Sequence, residues 1–176
     1  MKKVIFLVAL LSLVNLISSQ IDSEQSVVNF SIKNFGFNKV AGTFTGFEGT
    51  VQFDNNDHSN SHFKVCVDAA TVDTGNEKRD EHLSKDDFFD VTNHQQICFT
   101  STEITKLFNG NVGNKYYVKG ILTMRGVQKK IEFPFTTDDS LFKGSFTIDR
   151  TDFGVGGNSG AMVGKEVEIE IICVVY

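Results

Sequence analysis

Four histidines, three cysteines and a dense set of carboxylates are the side chains here able to bind metal, attack a substrate or move protons. His58 and His62 are spaced i, i+4, but they fall in and just after the polar run NNDHSNS (55–61), where no helix would bring both to one face. His82 stands among Asp80, Glu81 and Asp86, and His94 falls in a loop-like stretch. No G-x-S-x-G nucleophile elbow is present. Gly154-Val155-Gly156-Gly157 precedes a strand-like run rather than a helix, which removes the context a phosphate cradle needs. Asp86-Asp87 and Asp138-Asp139 are adjacent pairs that read as turn and solvated-face residues, and the cysteines lack redox C-x-x-C spacing. These residues predict neither a catalytic centre nor a metal site, and no cofactor.

Two arginines are more informative. Arg79 with Asp80, and Arg150 with Asp152, flank the segment DTGNEKRDEHLSKDDFFD (Asp73 to Asp90) and the glycine-rich connection RTDFGVGGNSG (Arg150 to Gly160). The expectation is a salt-bridged cluster that pins one segment to the other. Alternatively, one arginine meets the polar head of a ligand, since a guanidinium suits phosphate oxygens. Asp73 to Asp90 is where strand-like alternation breaks for more than a helical turn. Thr74 with Glu77 three residues on has capping-box spacing, and Leu83, Phe88 and Phe89 anchor an otherwise charged stretch. The spacing predicts a short helical crossover in an all-β domain, acting as a solvated connector over one end of a sheet or as a gate over an internal cavity.

The elements around it read as strands. Val28, Phe30 and Ile32 alternate with polar residues, giving a first strand. Phe35-Gly36-Phe37 interrupts it, and Val40 to Phe47 and Gly49 to Asp54 follow. His62 to Val72 forms a fourth strand, and a fifth starts near Gln96. Beyond a hairpin loop at Asn109 to Asn114, Tyr116 to Met124 is a sixth strand. Arg125-Gly126 turns into a seventh, carrying Ile131, Phe133 and Phe135, with Pro134 facing outward as at an edge or bulge. Phe142, Phe146 and Ile148 share the inner face of an eighth. Val167, Ile169, Ile171, Cys173 and Val175 share a face of the last. Eight or nine strands joined mainly by short turns predict a closed antiparallel barrel or a sandwich. A barrel of about eight strands holds either packed side chains or one slender ligand.

Bulk composition bounds the rest. Lys2 and Lys3 precede an apolar run, Val4 to Ile17, broken by Ser12 and Asn15 and followed by Ser18-Ser19. This is the secretory signal pattern, so residues 1–19 are expected to be removed and 20–176 to form one domain, exported to a periplasm or secreted. No other run is long and apolar enough to span a bilayer. With the two signal lysines set aside, 15 basic residues face 22 acidic ones, a charge near −7. That argues against nucleic acid as a partner. Phenylalanine is abundant at 17 residues, with no Trp and three Tyr. Those rings need an apolar home, as a core or as the lining of a ligand cavity. Cys66 and Cys98 both oppose the apolar face of consecutive strands, which predicts a cross-strand bridge, the alternative being two free outward thiols. Cys173 shares the buried face of the last strand.

Four stretches carry a resemblance: VNFSIKNFGFNKVAGTFTGFEGTVQFD (Val28 to Asp54), DAATVDTGNEKRDEHLSKDDFFD (Asp68 to Asp90), GILTMRGVQKKIEF (Gly120 to Phe133) and FTIDRTDFGVG (Phe146 to Gly156). Their order and spacing resemble the YceI-like family over essentially the whole chain beyond the signal. TGNEKRDEHL followed by DFFD is the most specific part. The resemblance implies an extended lipocalin-like barrel, often periplasmic, that binds a long isoprenoid such as a polyprenyl phosphate or a quinone tail and performs no catalysis. Two positions depart from the family pattern: Asn34 replaces a usual histidine, and His94-Gln95-Gln96 lacks a common proline. Candidate lining residues on the inward faces are Phe30, Phe44, Phe53, Val65, Phe99, Leu122, Phe133, Phe146 and Ile169. Candidate head-group residues are Arg79, Arg150 and Asn34. Two other functions fit the residues: an extracellular interaction module with a filled core, and a small-molecule β-barrel enzyme. A homodimer is compatible with all three.

Overall fold

The computed structural model describes residues 19–34, 38–107, 115–138, 140–157 and 163–176, with Asn34 known by its backbone alone. Alternating apolar residues form nine strands: β1 (Ile21–Asn34), β2 (Asn38–Phe44), β3 (Glu48–Gln52), β4 (His62–Asp68), β5 (Gln96–Lys106), β6 (Lys115–Met124), β7 (Val127–Thr137), β8 (Leu141–Asp149) and β9 (Val163–Val175). They make one antiparallel sheet in the order β2-β1-β9-β8-β7-β6-β5-β4-β3. The sheet curls into a lipocalin-like barrel whose inner face carries the core. Isolated bridges tie down each edge: Ser19 N–H, just ahead of β1, donates to Val51 O on β3, and Thr43 on β2 exchanges two hydrogen bonds with Asp73 of the crossover.

The β1 strand begins at Ile21, seven residues before the start that alternation indicates. The reason is a break in register. Asp22 opposes Val174 and Val27 opposes Ile172, so residues 23–26 bulge against a single position of β9. The Asp22 carboxylate accepts from the backbone of Glu24 and Gln25, which stabilises the bulge and destroys the period of two. The β4 strand stops at Asp68, short of the predicted Val72, because the Asp68 carboxylate caps a 3₁₀ turn at Ala69–Thr71. The expected interruption at Phe35-Gly36-Phe37 and the loop Asn109 to Asn114 lie outside the described residues.

Pro134 is exposed, as its parity requires, and it marks an opening in the sheet. β7 pairs with β6 from Val127 to Thr136, but with β8 only from Phe135 to Thr137. Proline has no N–H to donate, and the β7–β8 ladder ends next to it. Between β6 and β7, Arg125 (φ 51°) and Gly126 (φ 73°) take left-handed conformations, the geometry of a tight two-residue hairpin.

The crossover contains one helix, α1 (Glu77–Leu83). Its cap differs from the predicted box: Asn76 is the N-cap, its side chain accepting from Arg79 N–H at 3.0 Å. Thr74 lies two residues too early to cap. Instead its hydroxyl accepts from Arg79 Nε at 2.7 Å and donates to the Asp80 carboxylate.

Candidate functional site: an apolar chamber under the crossover

The curled sheet encloses a chamber of about 420 Å³, within the range of small-molecule sites. Strand parity builds its wall. Val28, Phe30 and Ile32 on β1, Phe44 on β2, Val65 and Val67 on β4, Ile97 and Phe99 on β5, Leu122 and Met124 on β6, Phe146 and Ile148 on β8, and Val167, Ile169 and Ile171 on β9 all face it. The crossover roofs it with Leu83, Phe88 and Phe89. Phe89 packs edge-on to Phe44, ring centroids 5.1 Å apart, which locks roof to wall. His82 and Asp87 also line it with more than half of each side chain exposed, so the chamber reaches solvent at this rim.

The far end of the barrel is closed by the protein's own rings. Phe53 packs against Tyr116, Phe135 and Phe142 with centroids 4.9–5.9 Å apart, and Phe63 joins Phe135 and Phe142. Tyr116, wholly buried, donates its hydroxyl to Asn55 Oδ1 at 2.8 Å. The bore is therefore part plug and part chamber.

Seven of the candidate lining residues, Phe30, Phe44, Val65, Phe99, Leu122, Phe146 and Ile169, do wall the chamber. Phe53 does not; it belongs to the plug. Phe133 also stands outside the chamber, stacked behind Phe146 at 4.5 Å. Both lie on the correct face of their strands, but parity says nothing of depth along the bore. Val28, Ile32, Met124, Ile148, Val167 and Ile171 share faces with predicted lining residues, and the same alternation finds them.

The expected salt-bridged cluster does not form. Arg79 gives Nε to the Thr74 hydroxyl and Nη2 to Thr74 O at 2.9 Å, while Asp80 accepts from the Thr74 backbone and hydroxyl. Asp152 approaches Lys129 at 3.7 Å instead. Arg150, 5% exposed, donates to the carbonyls of Val155 (2.6 Å), Gly164 (2.9 Å) and Val163 (3.3 Å). Burial lowers its pKa below the ordinary guanidinium value, and neighbouring Asp149 opposes that shift. A single guanidinium can satisfy several converging carbonyls where a carboxylate can satisfy none, so backbone displaced the acidic partners.

The pin between crossover and glycine-rich connection is a residue the sequence does not advertise. Arg125 Nη2 donates to Asp86 O at 2.7 Å and Nη1 donates to Gly154 O, while Gly156 N–H donates to Asp87 O at 2.8 Å. Both Arg79 and Arg150 border the chamber. Among the described residues Arg79 Nη1 makes no hydrogen bond and no acidic side chain forms an ion pair with the group. Asn34 sits at the end of β1 opposite Asn38 and Val163; its side chain lies outside the described set.

Cys66 and Cys98 occupy directly opposed positions of β4 and β5 and are joined by a disulfide. Cys173 is free and buried; desolvation pushes its thiol up to about 11, against a weaker opposing hydrogen bond from Ser26. Among the described residues no three His, Cys, Asp or Glu side chains converge as a metal site. Nor is any described helix long and apolar enough to cross a membrane.

Fold and site together define a class: a lipocalin-like antiparallel barrel with a preformed apolar chamber, plugged at one end and roofed by a short helical crossover at the other. The chain belongs to the YceI-like family, whose domain model matches residues 20–175. A UPF0312 protein of Pectobacterium carotovorum is 31% identical over 160 residues, covering 85% of this chain and 80% of its own. One from Pseudomonas aeruginosa is 30% identical over 158 residues, covering 84% and 80%. Among solved structures, Burkholderia cenocepacia BcnA superposes with a TM-score of 0.78 at 27% identity, covering 89% of this chain and 99% of that one. A polyisoprenoid binding domain from Saccharophagus degradans, implicated in plant cell wall breakdown, shares the fold at a TM-score of 0.67 and 14% identity, covering 89% and 97%.

Proposed function

We propose that the protein is an exported binding or carrier protein that holds a long isoprenoid lipid, a polyprenyl phosphate or a quinone tail, in the barrel chamber. The observation that carries this reading is the chamber itself: about 420 Å³ walled almost wholly by aliphatic and aromatic side chains, with a guanidinium at its rim. An isoprene chain has no polar group, so each buried methylene-sized unit contributes roughly 0.8 kcal/mol, partly offset by lost ligand freedom. Lining alone can therefore supply affinity. Arg79, with one guanidinium nitrogen that bonds to no described residue, suits a phosphate or quinone oxygen at the rim. The family is one of binding domains, and a structural relative is described as binding polyisoprenoid, which supports a non-catalytic role. Export is supported by the basic-then-apolar run that ends just before the family match begins, and by a disulfide, which persists in oxidising compartments.

The test is native mass spectrometry and lipid extraction of protein purified from its source. A co-purifying prenyl lipid, lost on denaturation, is the expected result. Protein that carries no prenyl lipid, and takes up neither a prenyl alcohol nor a prenyl phosphate added in vesicles, would refute the proposal.

A further inference from the structure

Beyond the chamber, deeper along the bore, lies a second void of about 50 Å³. Four residues, Phe47, Val65, Phe99 and Ile171, wall both spaces. They form the boundary between the two spaces, because each lines both. Val65 opposes Phe99 across β4–β5, and Ile171 opposes Gly144 across β8–β9, one step past the Phe146–Ile169 pair that still faces the chamber. On the deep side of that boundary the wall passes to Val118 and Phe133, and then to the aromatic plug.

The partition between the two spaces is made of rings. Phe146 faces the chamber, Phe133 faces the void, and the two stack at 4.5 Å with planes 24° apart. Phe99, on β5 two strands from β7, packs beside Phe133 with ring centroids 5.3 Å apart. Bare backbone sets where these rings lie. A Cβ at Gly120 would come within 2.4 Å of the Phe99 ring, and one at Gly144 within 2.8 Å of Phe133. Both rings therefore lie against a glycine, along the sheet, at a height that any side chain there would raise.

We propose that Phe133 is the length-determining residue of the site: backed by the small void and the plug beyond it, it fixes how many isoprene units of a tail fit beneath the rim. The inference rests on the apolar-tail reading above and adds a ruler to it. Removing the ring opens a space no larger than the roughly 150 Å³ apolar cavity that accepts a benzene molecule, and joins it to the void beyond. A five-carbon isoprene unit is smaller than benzene, so the gain is about one unit.

The experiment offers an equimolar series of all-trans prenyl alcohols, from geraniol upward, to wild type and to Phe133→Ala, and reads bound lengths by native mass spectrometry. Phe133→Leu is run beside them because it keeps most of the apolar contact and folds where the alanine variant does not. Expected is a maximum shifted to chains about one unit longer. The ratio of the next-longer chain to the wild-type optimum should rise at least about tenfold, the gain when roughly two of the added unit's five carbons become newly buried. A folded Phe133→Leu or Phe133→Ala with the wild-type length profile overturns the ruler while leaving the carrier reading intact. Wild-type protein that binds no prenyl alcohol of any length, nor the matching prenyl phosphates run beside them, overturns both.

Discussion

Replacing Cys66 and Cys98 by alanine opens the loop that contains the whole crossover. The two cysteines are 32 residues apart, and between them lie α1, Leu83, Phe88 and Phe89, the roof of the chamber. Cross-linking a loop of that size removes denatured-state entropy worth about 3.7 kcal/mol at 25 °C. The direct hydrogen bonds of the crossover, from Arg125 and from Gly156 to Asp87 O, survive the substitution, so the loss should fall mainly on global stability. With a urea dependence of about 2 kcal/mol per molar, typical of a domain this size, the unfolding midpoint should fall by about 2 M. The assay is urea unfolding followed by circular dichroism, on wild type with and without reductant and on the double variant, with thiols counted beforehand. Reduced wild type and the variant should coincide. A loss below about 1 kcal/mol in a protein shown to be bridged would refute the loop-closure argument. Three titratable thiols in unreduced, unfolded wild type would remove its premise.

Other outcomes follow from single groups. The native Cys173 thiol is raised to about 11 from an ordinary 9.0, so the folded state keeps a proton that the unfolded chain releases in between. Stability present below pH 9 should then decline by roughly 3 kcal/mol as pH rises to about 11, and Cys173→Ala should remove that difference when urea midpoints are compared across the range. Arg150→Met should cost about 3 kcal/mol in thermal unfolding, because the buried carbonyl of Val155 and the half-buried carbonyls of Gly164 and Val163 lose their donor; a loss under 1 kcal/mol would contradict this. Arg79→Met should leave the fold intact and reduce binding of a prenyl phosphate about tenfold relative to the prenyl alcohol of equal length, measured in competition; an unchanged ratio would remove Arg79 from the head-group site. Arg125→Ala should raise amide hydrogen exchange in the crossover selectively, since it frees Asp86 O and Gly154 O without touching the barrel wall.

Much of the barrel is legible because a strand repeats every two residues. Val167, Ile169, Ile171, Cys173 and Val175 point inward on alternation alone, and β9 obeys. The same rule brought Cys66 and Cys98 to matching faces, and the register then placed them opposite each other. Where a bulge breaks the period, as at residues 23–26, the reading starts the strand too late. The crossover was visible as a loss of alternation, but its cap was not. Thr74 and Asn76 both carry capping side chains, and only the path of the chain from Asp73, held to β2, decides which one meets the helix.

Sequence alone thus established the all-β class, the inward face of each strand, the apolar surplus that a chamber needs, and the family pattern. Those properties are local: side-chain parity and residue type survive whatever the rest of the chain does. Depth along the bore, and the partners of the buried arginines, came only with the tertiary structure. Phe53, Phe133 and Phe146 are indistinguishable by type and parity. Register across several strands sets one in the plug, one on the deep side of the partition and one in the chamber wall. Arg150 likewise found carbonyls rather than carboxylates because the chain's return into β9 brings backbone oxygens to it, a long-range geometry that neighbouring residues do not encode.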